Sequence, residues 1–165
     1  MAKLQTIEYT ANTEFDAYGR GISTKKAFGS YAKTASLPAD ADYVVIAHKM
    51  VTNSVLNTIK LTSPAIVGFT DADIVMLDSA GAEVKNNAGS PATVLLADGI
   101  TFANALSSKN VLGLSLTFDR TKSLAEMTGK SAGQLPAYVD IALKVNTAGT
   151  NTGTIETEVE FSAPQ

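Results

Sequence analysis

The sequence predicts a mainly β fold: a single-domain antiparallel β-sandwich or jelly roll, with one short helix and an extended N-terminal arm. Three observations carry that expectation. Two segments near the C-terminus, "YVDIALKVN" and "TIETEVEF", alternate apolar and polar residues with period 2, the pattern of a strand with one buried face. Further short apolar runs follow one another with Gly, Asn and Ser between them, as antiparallel β architectures require. The chain has 165 residues, 45% of them hydrophobic, without heptads or internal repeats. That length suits one domain, able to bury roughly 70% of the surface its unfolded chain exposes.

Taken in order, residues 1–40 read as the arm and residues 41–165 as the sandwich. Within the arm, "LQTIEYT" and "KKAFGSYA" are weak strand patterns, and "KTASLPADAD" (33–42) is a loop broken by Pro38. "YVVIAHKMV" (43–51) is apolar on both faces, which predicts a central or doubly covered strand. "VLNTIKLT" (55–62), "TVLLA" (93–97) and "VLGLSLTF" (111–118) are further strands, the last with Leu112, Leu114 and Leu116 on one face. "DIVMLDSAGAEV" (73–84) reads as two strands joined at Asp78-Ser79-Ala80-Gly81. Asp opens turns by accepting from backbone amides, and Gly takes positive φ at little steric cost. "TFANALSS" (101–108) fits a helical turn or a bent strand. "SLAEMTG" (123–129) sets Ser123 and Glu126 at capping-box spacing, with Gly129 as a stop, and predicts a helix of about two turns.

The two alternating segments at the end predict a hairpin across "TAGTNTG". In that register Val145 faces Ile155, Leu143 faces Thr157, Ile141 faces Val159 and Val139 faces Phe161, while Lys144 meets Glu156. A slip by one residue exposes the whole apolar row, so the register is firmly specified.

Composition excludes several function classes. Charged residues are 18% of the chain, below the usual ~25%. The polar but weakly charged surface suits packing against copies of itself or a partner. Net charge is −3, and no basic cluster extends beyond Lys25–Lys26, so nucleic-acid binding by counterion release is not expected. Without cysteine there is no disulfide, thiolate zinc site or thiol catalysis. The start "MAKLQTIEYT" lacks the apolar region of a signal peptide. No apolar run approaches the ~18–20 residues that span a membrane.

Candidate chemistry is sparse. Asp71 and Asp73 flank Ala72 and point the same way on a strand, but from Asp71 the EF-hand positions 5 and 6 fall on Val75 and Met76, where an oxygen ligand and Gly are needed. Asp78 has a sufficient role in its turn. His48, the only histidine, shares a face with Val44, Ile46 and Met50 and reads as a satisfied buried or interfacial residue. No Gly-x-Ser-x-Gly elbow supports a triad built on it. "STKK" (23–26) matches Ser-x-x-Lys without the companion strings of penicillin-binding enzymes, and "GRG" (19–21) lacks the third glycine of a dinucleotide fingerprint. "ETEVE" puts Glu156, Glu158 and Glu160 on one face, the wet side of a sheet or charges that discourage edge-to-edge pairing. Those glutamates, with Asp71 and Asp73, are the chain's candidates for weak cation binding. The sequence thus predicts no catalytic residue, no cofactor and no resident metal.

Phe15, Tyr18, Phe28 and Tyr31 lie in the arm. They either fold back onto the core or anchor in a groove on a neighbouring subunit. The stretch "VLNTIKLTSPAIVGFTDADIVMLDSAGAEV", with the light "MAKLQTIEYTAN" start and the "IETEVEF" close, resembles small structural proteins of tailed bacteriophages, of the capsid decoration or cement type. The resemblance is one of texture across most of the chain and carries over no site motif. It implies a non-enzymatic virion protein, made in the host cytoplasm and placed on the capsid exterior. Such a protein stabilises the shell by binding neighbouring copies of the major capsid protein, as a homo-oligomer that is often a trimer. The arm then supplies the contact, with Leu4, Ile7, Tyr9, Phe15, Tyr18, Phe28 and Tyr31 as interface residues. A tail-tube, neck or fibre-base subunit is the alternative. A carbohydrate-binding module ranks third, since the chain has no Trp and only 7% aromatic residues.

Overall fold

Alternating side chains bury one row of each strand, and two sheets facing each other satisfy all those rows at once. A computed structural model describes residues 3–5, 10–13, 23–62, 69, 71–87, 97–101, 114–130 and 132–163. The strands are β1 (Lys3–Gln5), β2 (Thr10–Thr13), β3 (Ser23–Lys33), β4 (Tyr43–Val51), β5 (Val55–Thr62), β6 (Asp71–Leu77), β7 (Ala97–Thr101), β8 (Leu114–Thr117), β9 (Tyr138–Thr147) and β10 (Gly153–Ala163). One helix, α1 (Leu124–Met127), and a 3-10 turn (Ala132–Gln134) complete the described elements. The first sheet runs β1-β4-β9-β6-β7 and the second β2-β3-β10-β5-β8. Among the described strands, only β1–β4 pairs in parallel. The molecule is a mainly β, sandwich-like single domain.

The core lies between the sheets. Val44, Ile46, Ile74, Met76, Val139, Ile141, Leu143 and Val145 come from the first sheet, and Ala27, Ile59, Leu61, Ile155, Val159 and Phe161 from the second. Each fully buried aliphatic side chain contributes about 1.5–3 kcal/mol. Both strands with the clearest alternation bury the expected odd-numbered rows. β4 has both faces buried from Tyr43 to Ala47. β5 covers the expected 55–62. β8 carries Leu114 and Leu116 opposite Leu61 and Ile59.

The expected hairpin is not formed. β9 pairs with β4 and β6, whereas β10 pairs with β3 and β5. The two strands are central in different sheets, and the link between them crosses the sandwich. Alternation fixes which face is buried; it does not name the neighbour, and two rows facing one core from opposite sides read like a hairpin. The crossing is pinned by side chains: Ala148 N donates to Asp40 Oδ1 at 2.8 Å, and Lys33 Nζ donates to Gly149 O at 3.0 Å. Lys144 accordingly pairs with Glu83 at 3.0 Å, and Glu156 lies opposite Ser30 and Thr62.

The turn after β6 forms as its sequence predicts, but the second strand expected beyond it is reduced to a single bridge. Asp78 Oδ1 accepts from Ala80 N and Ala82 N, both at 2.9 Å. Gly81 takes φ +82°, and a bridge joins Leu77 to Glu83. The helix has the predicted capping box, with Ser123 and Glu126 bonding each other's backbone amides, but it is only four residues long. Its N-terminal amides are held by the β4–β5 turn: Leu124 N donates to Ser54 O and Ala125 N to Thr52 O. "TVLLA" contributes its last residue, Ala97, to β7, and positions 93–96, 102–108 and 111–113 lie outside the described residues.

Candidate functional site

The fold leaves two sheet faces pointing away from the core. On the second sheet, β3 and β10 align Lys26 with Glu160 and Phe28 with Glu158, and β5 brings Lys60 beside Glu158. Lys26 lies 3.4 Å from Glu158 and 3.8 Å from Glu160, and Lys60 lies 3.4 Å from Glu158. These are half-exposed pairs of small individual worth, and they make this face a solvated charge lattice. The Ser-x-x-Lys string ends on Lys26 of that lattice. Phe28 stands in it 37% exposed.

The outward face of the first sheet holds a second, small apolar cluster of Tyr43, Val45, Val75, Leu77 and Ala142. Polar groups surround it. Tyr43 Oη donates to Glu83 Oε1 at 2.6 Å, and Lys144 Nζ donates to the same oxygen at 3.0 Å. Burial, then Glu83, push the Tyr43 phenol well above its ordinary range. A cleft of about 450 Å³ opens here between Lys3, Tyr43, Lys144 and the 80–85 turn. Asp73, buried on this face, lies opposite Lys144. Asp71 Oδ2 accepts from Asn146 Nδ2 at 3.4 Å. Among the described residues, no three metal-ligating side chains of the His, Cys, Asp and Glu types come together.

Beside this cleft, β4 carries an irregularity that the sequence does not announce. Ala47 pairs with Ile141 and Met50 with Val139, so His48 and Lys49 are extra residues opposite Asp140. Lys49 takes φ +52°. An earlier shift at Ile46, between the Val45–Ala142 and Ala47–Ile141 pairs, puts Ala47 in the core row and so turns His48 outward, 41% exposed, instead of leaving it on the face of Val44, Ile46 and Met50; the extra residue at 48–49 then returns Met50 to the core. A bulge resets the alternation and re-aims the side chain. Asp140 accepts from His48 Nδ1 at 2.7 Å and Lys49 N at 2.9 Å, and pairs with Lys3 Nζ at 2.6 Å. Burial alone raises a carboxyl, but the Lys3 and Lys49 hydrogen bonds and the charges of His48 and Lys3 outweigh it and hold Asp140 below the usual carboxylate range. Among the described residues no hydroxyl bonds to His48 Nε2, so the His–Asp pair lacks a nucleophile there. What the cluster does is fasten β1 to the middle of the sheet.

Of the seven expected interface residues, Leu4, Phe28 and Tyr31 fall among the described residues. Leu4 is half-buried in β1 and packs on the core. Tyr31 is a core residue at 7% exposure, and Phe28 faces solvent. Ile7, Tyr9, Phe15, Tyr18 and the "GRG" turn lie outside the described residues. Sequence reasoning missed Val51 and Tyr138, which pair directly across β4 and β9 and are 37% and 55% exposed. The available signal was Tyr138 itself, an aromatic residue on the outward row of β9.

No family model matches the chain. No curated protein sequence matches it. Two solved structures share the fold. One is a chain of the cyanophage Pam1 capsid asymmetric unit, 18% identical, with a TM-score of 0.51 over 92% of this chain and 94% of that one. The other is a chain of the capsid of Ralstonia phage GP4, 14% identical, with a TM-score of 0.53 over 99% of both. At such identities the likeness is one of fold.

Proposed function

We propose that this chain is a non-enzymatic structural protein of a tailed-phage virion, which decorates the capsid and stabilises it by binding neighbouring copies of the major capsid protein. The observation that carries this reading is the end-to-end likeness to two chains of phage capsid structures. A small shared module would align over part of each chain; here nearly the whole of each is matched. The outward sheet faces support the reading, since each combines polar groups with exposed aromatic or aliphatic side chains, the anatomy of a non-obligate interface. Net charge of −3 favours the capsid exterior over a surface against packaged DNA.

In this reading the chain works as a homo-oligomer, a trimer at a symmetry axis, and residues between Leu4 and Tyr31 contribute to each subunit's contact, from a stretch whose β3 is itself paired between β2 and β10. Phe28 is the residue of that segment whose geometry best suits a partner's groove. Contacts repeated between linked subunits add avidity without new chemistry. The test is addition of purified protein to empty shells that lack it. Saturable binding with a raised shell melting temperature is expected. Absence of binding, or assembly of the isolated protein into stacked rings or tubes under the electron microscope, contradicts the decoration role and favours a tail component.

A further inference from the structure

The cleft between β1, the start of β4, β9 and the 80–85 turn is lined by cations, with no carboxylate oxygen that is both free and accessible among the described residues. Its volume of about 450 Å³ is in the range of ligand pockets. Its frame is fixed before anything binds. Asp78 N donates to Ala82 O, Gly81 N to Asp78 O and Val84 N to Met76 O, each at 2.9 Å, and Asp78 Oδ1 holds two further amides. The Lys3 stem lies against this turn, since a Cβ on Gly81 would come 3.4 Å from Lys3 Cδ. Lys3, Lys85 and Lys144 all line the cleft, in a chain whose net charge is −3. Glu83 lines it too, but its acceptors are spent or hidden. One oxygen accepts from Tyr43 Oη and Lys144 Nζ, and the other is buried without a partner. The neighbouring counter-charges Asp73 and Asp140 are 6% and 4% exposed and belong to the sheet. Each ammonium carries three donors, and among the described residues Lys144 gives one to Glu83 and Lys3 one to Asp140. Lys85 is exposed and has no partner among the described residues.

We propose that this cleft receives an Asp or Glu side chain of a partner chain. Lys85, Lys144 and Lys3 hold its carboxylate, and Ala80, Ala82 and the Lys3 stem flank its carbon skeleton. An ionised carboxylate only accepts hydrogen bonds, which makes it the complement of a wall of ammonium donors. A basic side chain in the same place would meet three like charges. The aliphatic walls favour an acid with a carbon skeleton over a bare inorganic anion, which gains nothing from apolar contact. The inference goes beyond the virion reading, because it names the chemistry of the occupant whichever chain supplies it.

The experiment titrates the isotope-labelled full chain with three probes and follows its amide chemical shifts. The probes are a capped glycyl-glutamyl-glycine peptide, its glutaminyl counterpart and inorganic phosphate. The glutamyl peptide is expected to shift Gly81, Ala82 and Lys85 saturably, and more weakly as salt rises. The glutaminyl peptide should bind at least about 5-fold more weakly, and phosphate more weakly than the glutamyl peptide. Lys85→Gln should weaken glutamyl binding at least about 3-fold. Lys60→Gln removes the same charge from the outward face of the other sheet and should change it less than about 1.5-fold. Both variants should keep the wild-type thermal midpoint within about 2 °C. Absence of binding, equal binding of the two peptides, phosphate binding as tightly as the glutamyl peptide, or equal losses in the two lysine variants overturns the site. The source of the acid is read from Lys85→Gln in assembly. Lost self-association names a second copy, and lost binding to empty shells with self-association intact names a coat subunit. Loss of neither overturns the partner-chain assignment and leaves the virion role standing, whereas failure of wild type to bind shells contradicts the virion role alone.

Discussion

Asp140 shows how one residue ties distant parts of the chain together. It sits on β9, 4% exposed, yet it receives the ammonium of Lys3 from β1 and both the imidazole and a backbone amide from the β4 bulge. Replacing it with Asn removes the charge and leaves those donors poorly satisfied, at a cost of about 1–3 kcal/mol at neutral pH. The carboxyl is held below its unfolded value, which is about 3.9. Its contribution is therefore complete above that value and is lost as pH falls through the lower folded one. Urea unfolding at pH 7 and pH 3 checks this: the wild type should exceed Asp140→Asn clearly at pH 7 and by less at pH 3. A gap that stays constant or widens on acidification contradicts the ion-pair account. This cluster was not legible in the sequence, because Lys3, His48 and Asp140 lie far apart along the chain. Asp78 was legible, since its partners are two and four residues away.

At the scale of elements, the same contrast between local and distant information recurs. The burial rows of β9 and β10, the Gly81 turn and the Ser123–Glu126 cap all follow from spacing within a dozen residues. Which strands become neighbours depends on the whole collapse, so the crossing between β9 and β10 looked like a hairpin. The bulge at His48 was hidden for a related reason: Val44, Ile46, His48 and Met50 keep a formal period of 2, and only the pairing to β9 reveals two residues facing one. The rows themselves make a sharp prediction. Ile141→Ala and Val159→Ala remove fully buried atoms from the shared core; Ile141→Ala should cost about 2–5 kcal/mol, and the smaller Val159→Ala proportionally less. Glu158→Ala, on the wet face with Lys26 and Lys60, should cost less than about 1 kcal/mol. Denaturant midpoints of the three variants check it. A larger loss for Glu158→Ala than for Ile141→Ala contradicts the assignment of faces.

For the whole molecule, two sheets share one core and turn opposite faces outward. The second sheet's outer face is a lattice of Lys and Glu with Phe28 in it. The first sheet's outer face has a polar cleft by Tyr43 and Lys144, and the Tyr138–Val51 pair at the opposite end of β4 and β9. The fold recurs in chains of two phage capsid structures, and two differently furnished faces are what the proposed role requires. Of this scale the sequence offered the fold class, from alternation. The furnishing of the faces became legible only once the strand order was known. The most direct measurement of the proposed role is an electron cryo-microscopy map of phage particles assembled in the presence of the chain. The account predicts sandwich-shaped density on the outer surface of the shell, where coat subunits meet. Density for the chain in the tail or inside the shell, or its absence from the particle, would contradict it.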